Sequence, residues 1–461
     1  MASKIVVNNI ESDAGINSVT FNSNIQIGSG TTIHSSGIDL GSGNITGGIV
    51  TATSFTGSGT NLTSLPAANL TGTLPAISGA NLTGINTAFG SGTSINTSGI
   101  ITATAFVSDT PLSNRNIIIN GAMNVAQRAT SASGSFTTAA YPTCDRWQFA
   151  AYATDQLSMD ISQEAMNSVN GFGKYLKMSP GTAESGGAAD EYVSMRYKIE
   201  AQDCQQLEWG TLSAKSATLS FWVKSTVTGT ACVNITKEDA TKYQITRTYT
   251  INVANTWEYK TLTIPGLTAS GIPNDNGAGI IIHWFLDAGS NYKSSDSTSW
   301  GTFAGGGYAY GHSANFIDST STNWNITGVQ FEVGPVATPF EHRSFAQEAL
   351  LCKRYYQQIV GSGDLVMFGS GRASGTSNAI VSTHLAVPLR ASPTISSLNY
   401  SGWGVSNSFN ASNKQPVAIN FHSTDNQLNL NYEGLGGNLT NARTCTVSSY
   451  GGSTLTMDSE L

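Results

Sequence analysis

An all-β fold is predicted by this sequence, on three observations. Short segments alternate β-branched or aromatic residues with polar ones, as in SATLSFWVKS (216–225), which puts Ala217, Leu219, Phe221 and Val223 on one face. The composition is rich in turn formers and poor in charge, with 49 glycines in 461 residues and 11% charged residues. Helical spacing is convincing in one stretch alone, 344–357. A chain of this length divides into two to four domains.

The first zone, 1–113, is built differently from the rest. Residues 1–110 hold one basic residue, Lys4, and four acidic ones, Glu11, Asp13, Asp39 and Asp109, with neither Cys nor Trp. GSGTTIHSSGI (28–38) returns as GSGTSINTSGI (90–100), and GIVTATSF (48–55) returns as GIITATAF (99–106). Between them NLTSLP, NLTGTLP and NLTGI make a shorter iteration. One such chain buries too little apolar area to offset its ordering entropy, about 1–2 kcal/mol per residue for the backbone. Stacked repeats, or several copies wound together, share one thin core and solve that problem. The zone is therefore expected to be a repetitive β shaft at 28–113. Residues 1–27 precede the first clear repeat and are the candidate attachment segment, unless they are themselves the first repeat. The NxT sequons at Asn44, Asn61, Asn69 and Asn81 are read as turn residues.

From Asn114 the chain acquires Trp, Cys and charge. Strands are expected at 174–179, 192–200, 216–225, 231–238, 243–253, 257–264 and 279–288, and then from Trp324, where Ile326, Val329, Phe331 and Val333 alternate as in a half-buried strand. That number of short strands joined by Gly, Pro, Asn and Ser predicts a β-sandwich or jelly roll at 114–343. Pro335 and Pro339 end the last strand. Ser344 then caps a linking helix at 344–357, with Gln347 and Glu348 early and Lys353 and Arg354 late, as the helix dipole prefers. Further alternating segments, including NAIVSTHLAV and QLNLNYE, predict a small C-terminal β-domain at 358–461.

Several function classes are excluded or unsupported. A net charge of −7 without a basic patch argues against nucleic acid. Cys144, Cys204, Cys232, Cys352 and Cys445 are odd in number and widely spaced, so buried free thiols are expected rather than disulfides or metal ligands. MASKIVVNNI does not read as a signal peptide, and no apolar run is long enough to span a membrane. No nucleophile elbow, HExxH or phosphate loop is present, and His34, His283, His312, His342, His384 and His422 are scattered singly. Asp287 with Asp296, or Glu238 with Asp239, is the carboxylate pair a glycosidase would need, without supporting context. No catalytic residue, cofactor or metal is expected.

Sugar recognition asks for an aromatic face against the C–H side of a pyranose and polar groups for its hydroxyls. The long loop after residue 288 offers Tyr292, Trp300, Tyr308 and Tyr310 beside Asn291, Asp296 and His312. In the last domain Tyr400 and Trp403 lie near Ser401, Asn407 and Asn410. The competing reading is that these rings pack on neighbouring strands or at a subunit interface.

The elements NRNIIINGAMNVAQRAT, YPTCDRW, CQQLEW, LSFWVKS, WNITGVQFEVGPVATPFEHRS, EALLCKRYYQQ and VPLRASPT, in that order, resemble tail-fibre-like structural proteins of tailed bacteriophages. The N-terminal iterations look like fibre-shaft repeats, particularly of phages infecting marine cyanobacteria. The resemblance covers roughly 114–395. It implies an elongated, intertwined homotrimer attached to the virion at its N-terminus, a sugar-binding-like jelly roll, and a distal head that adheres to host surface polysaccharide. It implies assembly in the host cytoplasm and release by lysis, and brings no catalytic residues. Attachment to the tail or to the capsid, as a head fibre or decoration, both stay open, and a polysaccharide depolymerase is the enzymatic alternative. In a trimer, three linking helices are expected to meet through Phe345, Leu350 and Leu351.

Overall fold

The computed structural model describes residues 113–461 apart from 137, 155–156, 185–187, 361–365, 398–402, 408–409, 413–418, 425–426, 433–438, 440, 442 and 450–453. The expected attachment segment, and the expected shaft bar its last residue, lie outside the described residues.

Among the described residues, twelve strands precede the helix. They are β1 (Ser131–Gly134), β2 (Trp147–Tyr152), β3 (Ser158–Val169), β4 (Phe172–Thr182), β5 (Tyr192–Glu200), β6 (Ala217–Ser225), β7 (Gly229–Lys237), β8 (Tyr243–Ile251), β9 (Glu258–Ile264), β10 (Ala278–Ala288), β11 (Gly301–Thr302) and β12 (Trp324–Val333). They form two six-stranded sheets, β1-β3-β4-β12-β6-β9 (sheet A) and β11-β8-β7-β10-β5-β2 (sheet B). Ladders within both sheets are antiparallel. Leu219, Phe221 and Val223 of sheet A and Val233, Ile282 and Trp284 of sheet B close one buried core, so the architecture is a β-sandwich, as the alternation predicts. Strands β1, β2, β3 and β11 lie outside the expected set: β1, β2 and β11 do not alternate cleanly, whereas Leu157, Met159 and Ile161 do, and the start of β3 is a signal passed over.

β12 departs from the half-buried strand its pattern suggests. All ten of its residues are buried, since a second layer of chain lies on its outer side. Asn116 donates from Nδ2 to the Val329 carbonyl at 3.1 Å and accepts from the Phe331 amide at 3.1 Å. The outward Gln330 and Glu332 hold the exit turn: the Glu332 carboxylate accepts from the Thr338 amide and hydroxyl at 2.8 and 2.6 Å, and the Glu341 amide donates to Gln330 Oε1 at 2.8 Å. Alternation marks two faces; it does not tell whether one of them is covered.

The helix α1 is shorter than expected, Phe345–Lys353. Ser344 caps it, accepting from the Gln347 amide at 3.3 Å while Gln347 Oε1 accepts from the Ser344 amide at 3.1 Å. It stops because Tyr356 already belongs to a strand, β13 (Tyr356–Val360). The remaining strands are β14 (Val366–Ala373), β15 (Ala379–His384), β16 (Thr394–Ser397), β17 (Trp403–Asn407), β18 (Asn410–Ser412), β19 (Ile419–Thr424), β20 (Gln427–Tyr432), β21 (Thr444–Ser449) and β22 (Thr454–Asp458). They form a three-stranded sheet, β13-β22-β16, and a seven-stranded one, β18-β17-β21-β14-β15-β20-β19.

Charge locks this region to the sandwich. Glu200, fully buried at the end of β5, receives both Arg354 (2.6 and 2.9 Å) and the Tyr355 hydroxyl (2.8 Å). Arg146 is 1% exposed, pairs with Glu460 and lies 3.4 Å from the centroid of the Tyr355 ring. Lys198 and Tyr141 both donate to the Leu461 carbonyl, at 2.5 and 2.9 Å. All five cysteines are free and buried.

Candidate functional site

In β5 the residues Val193, Met195, Tyr197 and Ile199 enter the core, so Tyr192, Ser194 and Arg196 point to the outer face of sheet B. Register places Tyr152 of β2 beside Tyr192, Ala150 beside Ser194 and Gln148 beside Arg196. On β10, His283 lies opposite Arg196 and Phe285 opposite Ser194. This face is thus a grid of rings and hydrogen-bonding groups.

Most of it is sealed by the loop 289–315. Gln244 Nε2 donates to the Ala304 carbonyl at 2.7 Å, the Thr246 hydroxyl to the Gly307 carbonyl at 3.0 Å, and Ser297 Oγ to the same carbonyl at 2.6 Å. The Tyr308 ring packs on Phe285 (centroids 5.0 Å apart), with its hydroxyl 2.8 Å from His283 Nε2. Burial keeps His283 neutral, pushing it well below the usual imidazole range, with the Arg196 and Lys198 charges adding to the effect. Burial and then Lys293 push His312 down to about 3, and its Nδ1 accepts from the Cys232 amide at 3.3 Å.

At the edge of the sealed area a tyrosine corner reaches solvent. Tyr152 is 56% exposed and stacks on Tyr192, with centroids 5.6 Å apart and planes 12° apart. Tyr192 in turn meets Tyr292 edge-on at 5.0 Å and Tyr308 at 5.6 Å. The Tyr292 hydroxyl is fixed by the Asp190 carbonyl at 3.0 Å. Beside the corner, Gln148 Oε1, Ser194 Oγ and Arg196 Nε are buried without hydrogen-bond partners. What the corner presents to solvent is the Tyr152 ring, a flat aromatic face of the kind against which a pyranose packs its C–H side.

The residues singled out from sequence are therefore divided. Tyr292 belongs to the corner. Tyr308 is a packing residue: it is buried, and its hydroxyl is taken by His283, which corrects the expectation of a contact residue. Trp300 lies elsewhere, edge-on to Trp209 at 5.1 Å, with its indole N–H donated to the Pro265 carbonyl at 2.7 Å. Tyr310 is half-buried in the turn after Gly307. Tyr400 lies outside the described residues. Trp403 opens β17, and its side chain lies outside the described ones. Tyr152, Tyr192 and Arg196 were missed, although the alternation of YVSMRYKIE already places Tyr192, Ser194 and Arg196 on one face. Of the carboxylates considered, Asp296 accepts from the Thr298 amide and hydroxyl, both at 2.8 Å, and Glu238 pairs with Lys242.

No family model matches this sequence, and no curated protein matches it. Among solved structures, the enzymatically active domain of tailspike protein 4 of bacteriophage CBA120 aligns at TM-score 0.27 and 13% identity, over 47% of this chain and 21% of that one. This chain thus spans about a fifth of the tailspike's length. A putative sugar-binding protein from Bacteroides thetaiotaomicron aligns at TM-score 0.26 and 9% identity, over 48% of this chain and all of that one. A family 11 carbohydrate-binding module of a Clostridium thermocellum cellulase aligns at 0.22 and 15%, over 46% and 100%. These likenesses assign no residue a role.

Proposed function

We propose that this chain is a phage virion fibre protein that adheres, without catalysis, to polysaccharide on the host surface. It attaches to the tail through its N-terminal segment, assembles as a homotrimer in the host cytoplasm, and leaves by lysis. The ordered motifs from NRNIIINGAMNVAQRAT to VPLRASPT support the virion role. The observation that carries the saccharide reading is the tyrosine corner, in which the exposed Tyr152 ring stacks on Tyr192 and Tyr192 is braced edge-on by Tyr292. Rigid aromatic faces bind at low entropic cost, and three weak sites on one trimer raise avidity.

The trimer contact is assigned to α1. Phe345, Leu350 and Leu351 are 65%, 47% and 37% exposed, and a neighbouring copy that covered them would remove apolar surface from water. Light scattering on the full chain should give three copies, and Leu350→Asp with Leu351→Asp should shift the mass toward one. A panel of bacterial surface polysaccharides immobilised on beads should retain the wild type, and Tyr152→Ala with Tyr192→Ala should weaken retention roughly tenfold. A monomer retained by no polysaccharide would overturn the reading.

A further inference from the structure

The outer face of sheet A carries a second ring-lined surface, open to solvent between β6 and β9 and walled on its other side by the turn that follows β12. Between β4, β12, β6 and β9 lies a cavity of about 500 Å³. Trp222 of β6 and Tyr259 of β9 are register partners, their centroids 5.3 Å apart. Phe172 of β4 meets Phe340 at 5.0 Å and His342 at 5.4 Å, and Phe340 meets His342 at 4.8 Å. The strand order β4-β12-β6-β9 separates the two ring groups, and four neighbouring strands span about 14 Å.

The shape of the groove is built in. β12 skips register between Thr327 and Gln330, and Gly328 in this bulge has φ +62°. A Cβ there would stand 2.5 Å from the Phe172 ring, so glycine is what lets that ring lie flat on the strand. The turn supplying Phe340 is fixed by the Glu332 carboxylate through Thr338 and by Arg115, which donates to Thr338 Oγ1 at 2.7 Å.

We propose that this groove binds an uncharged saccharide. The inference rests on the polysaccharide reading above and names a second site for it. Among the described lining residues there is no carboxylate, lysine or arginine, which matches a neutral ligand and disfavours a uronate or a phosphorylated sugar. Trp222 and Tyr259 offer faces to the C–H side of a ring, while Ser220 and Asn170 offer hydroxyl and amide groups at the same groove. A lipid chain would leave those polar groups without partners. Further along the sheet Lys224 lies 5.4 Å from the Tyr175 ring and 5.2 Å from that of Trp257, so the uncharged surface is confined to the groove.

The test is calorimetric titration of the full chain with neutral tetrasaccharides of the glucan, mannan and galactan types, with tryptophan fluorescence as a second readout. One of them should bind and shift the emission. Trp222→Ala with Tyr259→Ala should weaken it at least tenfold, while Leu212→Ala, at a fully exposed residue outside both ring groups, leaves it unchanged. Tyr259→Ala alone, at a residue 43% exposed, keeps the fold intact and should still weaken binding several-fold. Binding that is unchanged in both groove variants overturns the inference and leaves the adhesion reading standing, as does preference for a detergent or peptide over every sugar. Retention by no polysaccharide, charged or neutral, overturns the adhesion reading itself.

Discussion

The two outer faces of the sandwich start from the same rule and end in opposite states. On both sheets alternate residues fill the core and the others point away. On sheet B, Asn234, Thr246, His283 and Phe285 point away and are buried all the same, because the loop 289–315 bonds Thr246 and His283 and packs on Phe285, while Asn234 is satisfied within the sheet by Thr236 and Thr246. On sheet A, Trp222 and Tyr259 point away and stay accessible at an open groove. Aromatic residues on an outer face thus serve stability where a loop seals them and are free for recognition where the covering chain leaves a groove open.

Substitutions should expose this difference, most strongly on the sealed side. Tyr308→Ala removes a ring packed on Phe285, Tyr192 and Phe303 and should cost about 3–5 kcal/mol in denaturant unfolding. Tyr308→Phe keeps the ring, orphans His283, and should cost about 1 kcal/mol.

Acid should act on the sealed face next. In the unfolded chain histidine titrates near 6.5, whereas burial holds His283 well below that and His312 at about 3. Between those values the unfolded state binds the extra proton, so stability falls as the pH falls, by about 1.4 kcal/mol per pH unit for each residue. The thermal midpoint should drop steadily below pH 6.5, and His312→Asn should flatten part of the slope.

Effects on the open side should be smaller. Tyr259→Ala should change stability by no more than about 0.5 kcal/mol while weakening sugar binding. At the start of β9, Glu258 is held down to about 2: burial opposes this, but hydrogen bonds from Lys260 and from the Val253 and Asn252 amides outweigh it. A depressed carboxylate stabilises above its unfolded pKa, near 4.5, and that contribution disappears as the pH falls through about 2. Glu258→Gln should remove this small component from the pH–stability curve.

Much of the sandwich was legible because its signal is local. Ala217, Leu219, Phe221 and Val223 alternate, and all four lie in the core. The helix start was legible through Ser344 and Gln347, while its end was set by Tyr356 pairing with Asp458, a partner a hundred residues away. The site was harder to read. Loop aromatics suggested Trp300 and Tyr308, which the fold spends on packing. Tyr152, Tyr192, Trp222 and Tyr259 sit on strands, where sequence marks a face without telling what covers it. The pairing of Tyr152 with Tyr192 and of Trp222 with Tyr259 is a matter of register.

The most direct measurement is retention of the full chain by surface polysaccharide, comparing the wild type with the Tyr152→Ala, Tyr192→Ala pair, the Trp222→Ala, Tyr259→Ala pair and all four combined. The account predicts that each pair weakens retention and that the fourfold variant, still folded by its melting curve, is not retained. A folded fourfold variant retained as well as the wild type would contradict it.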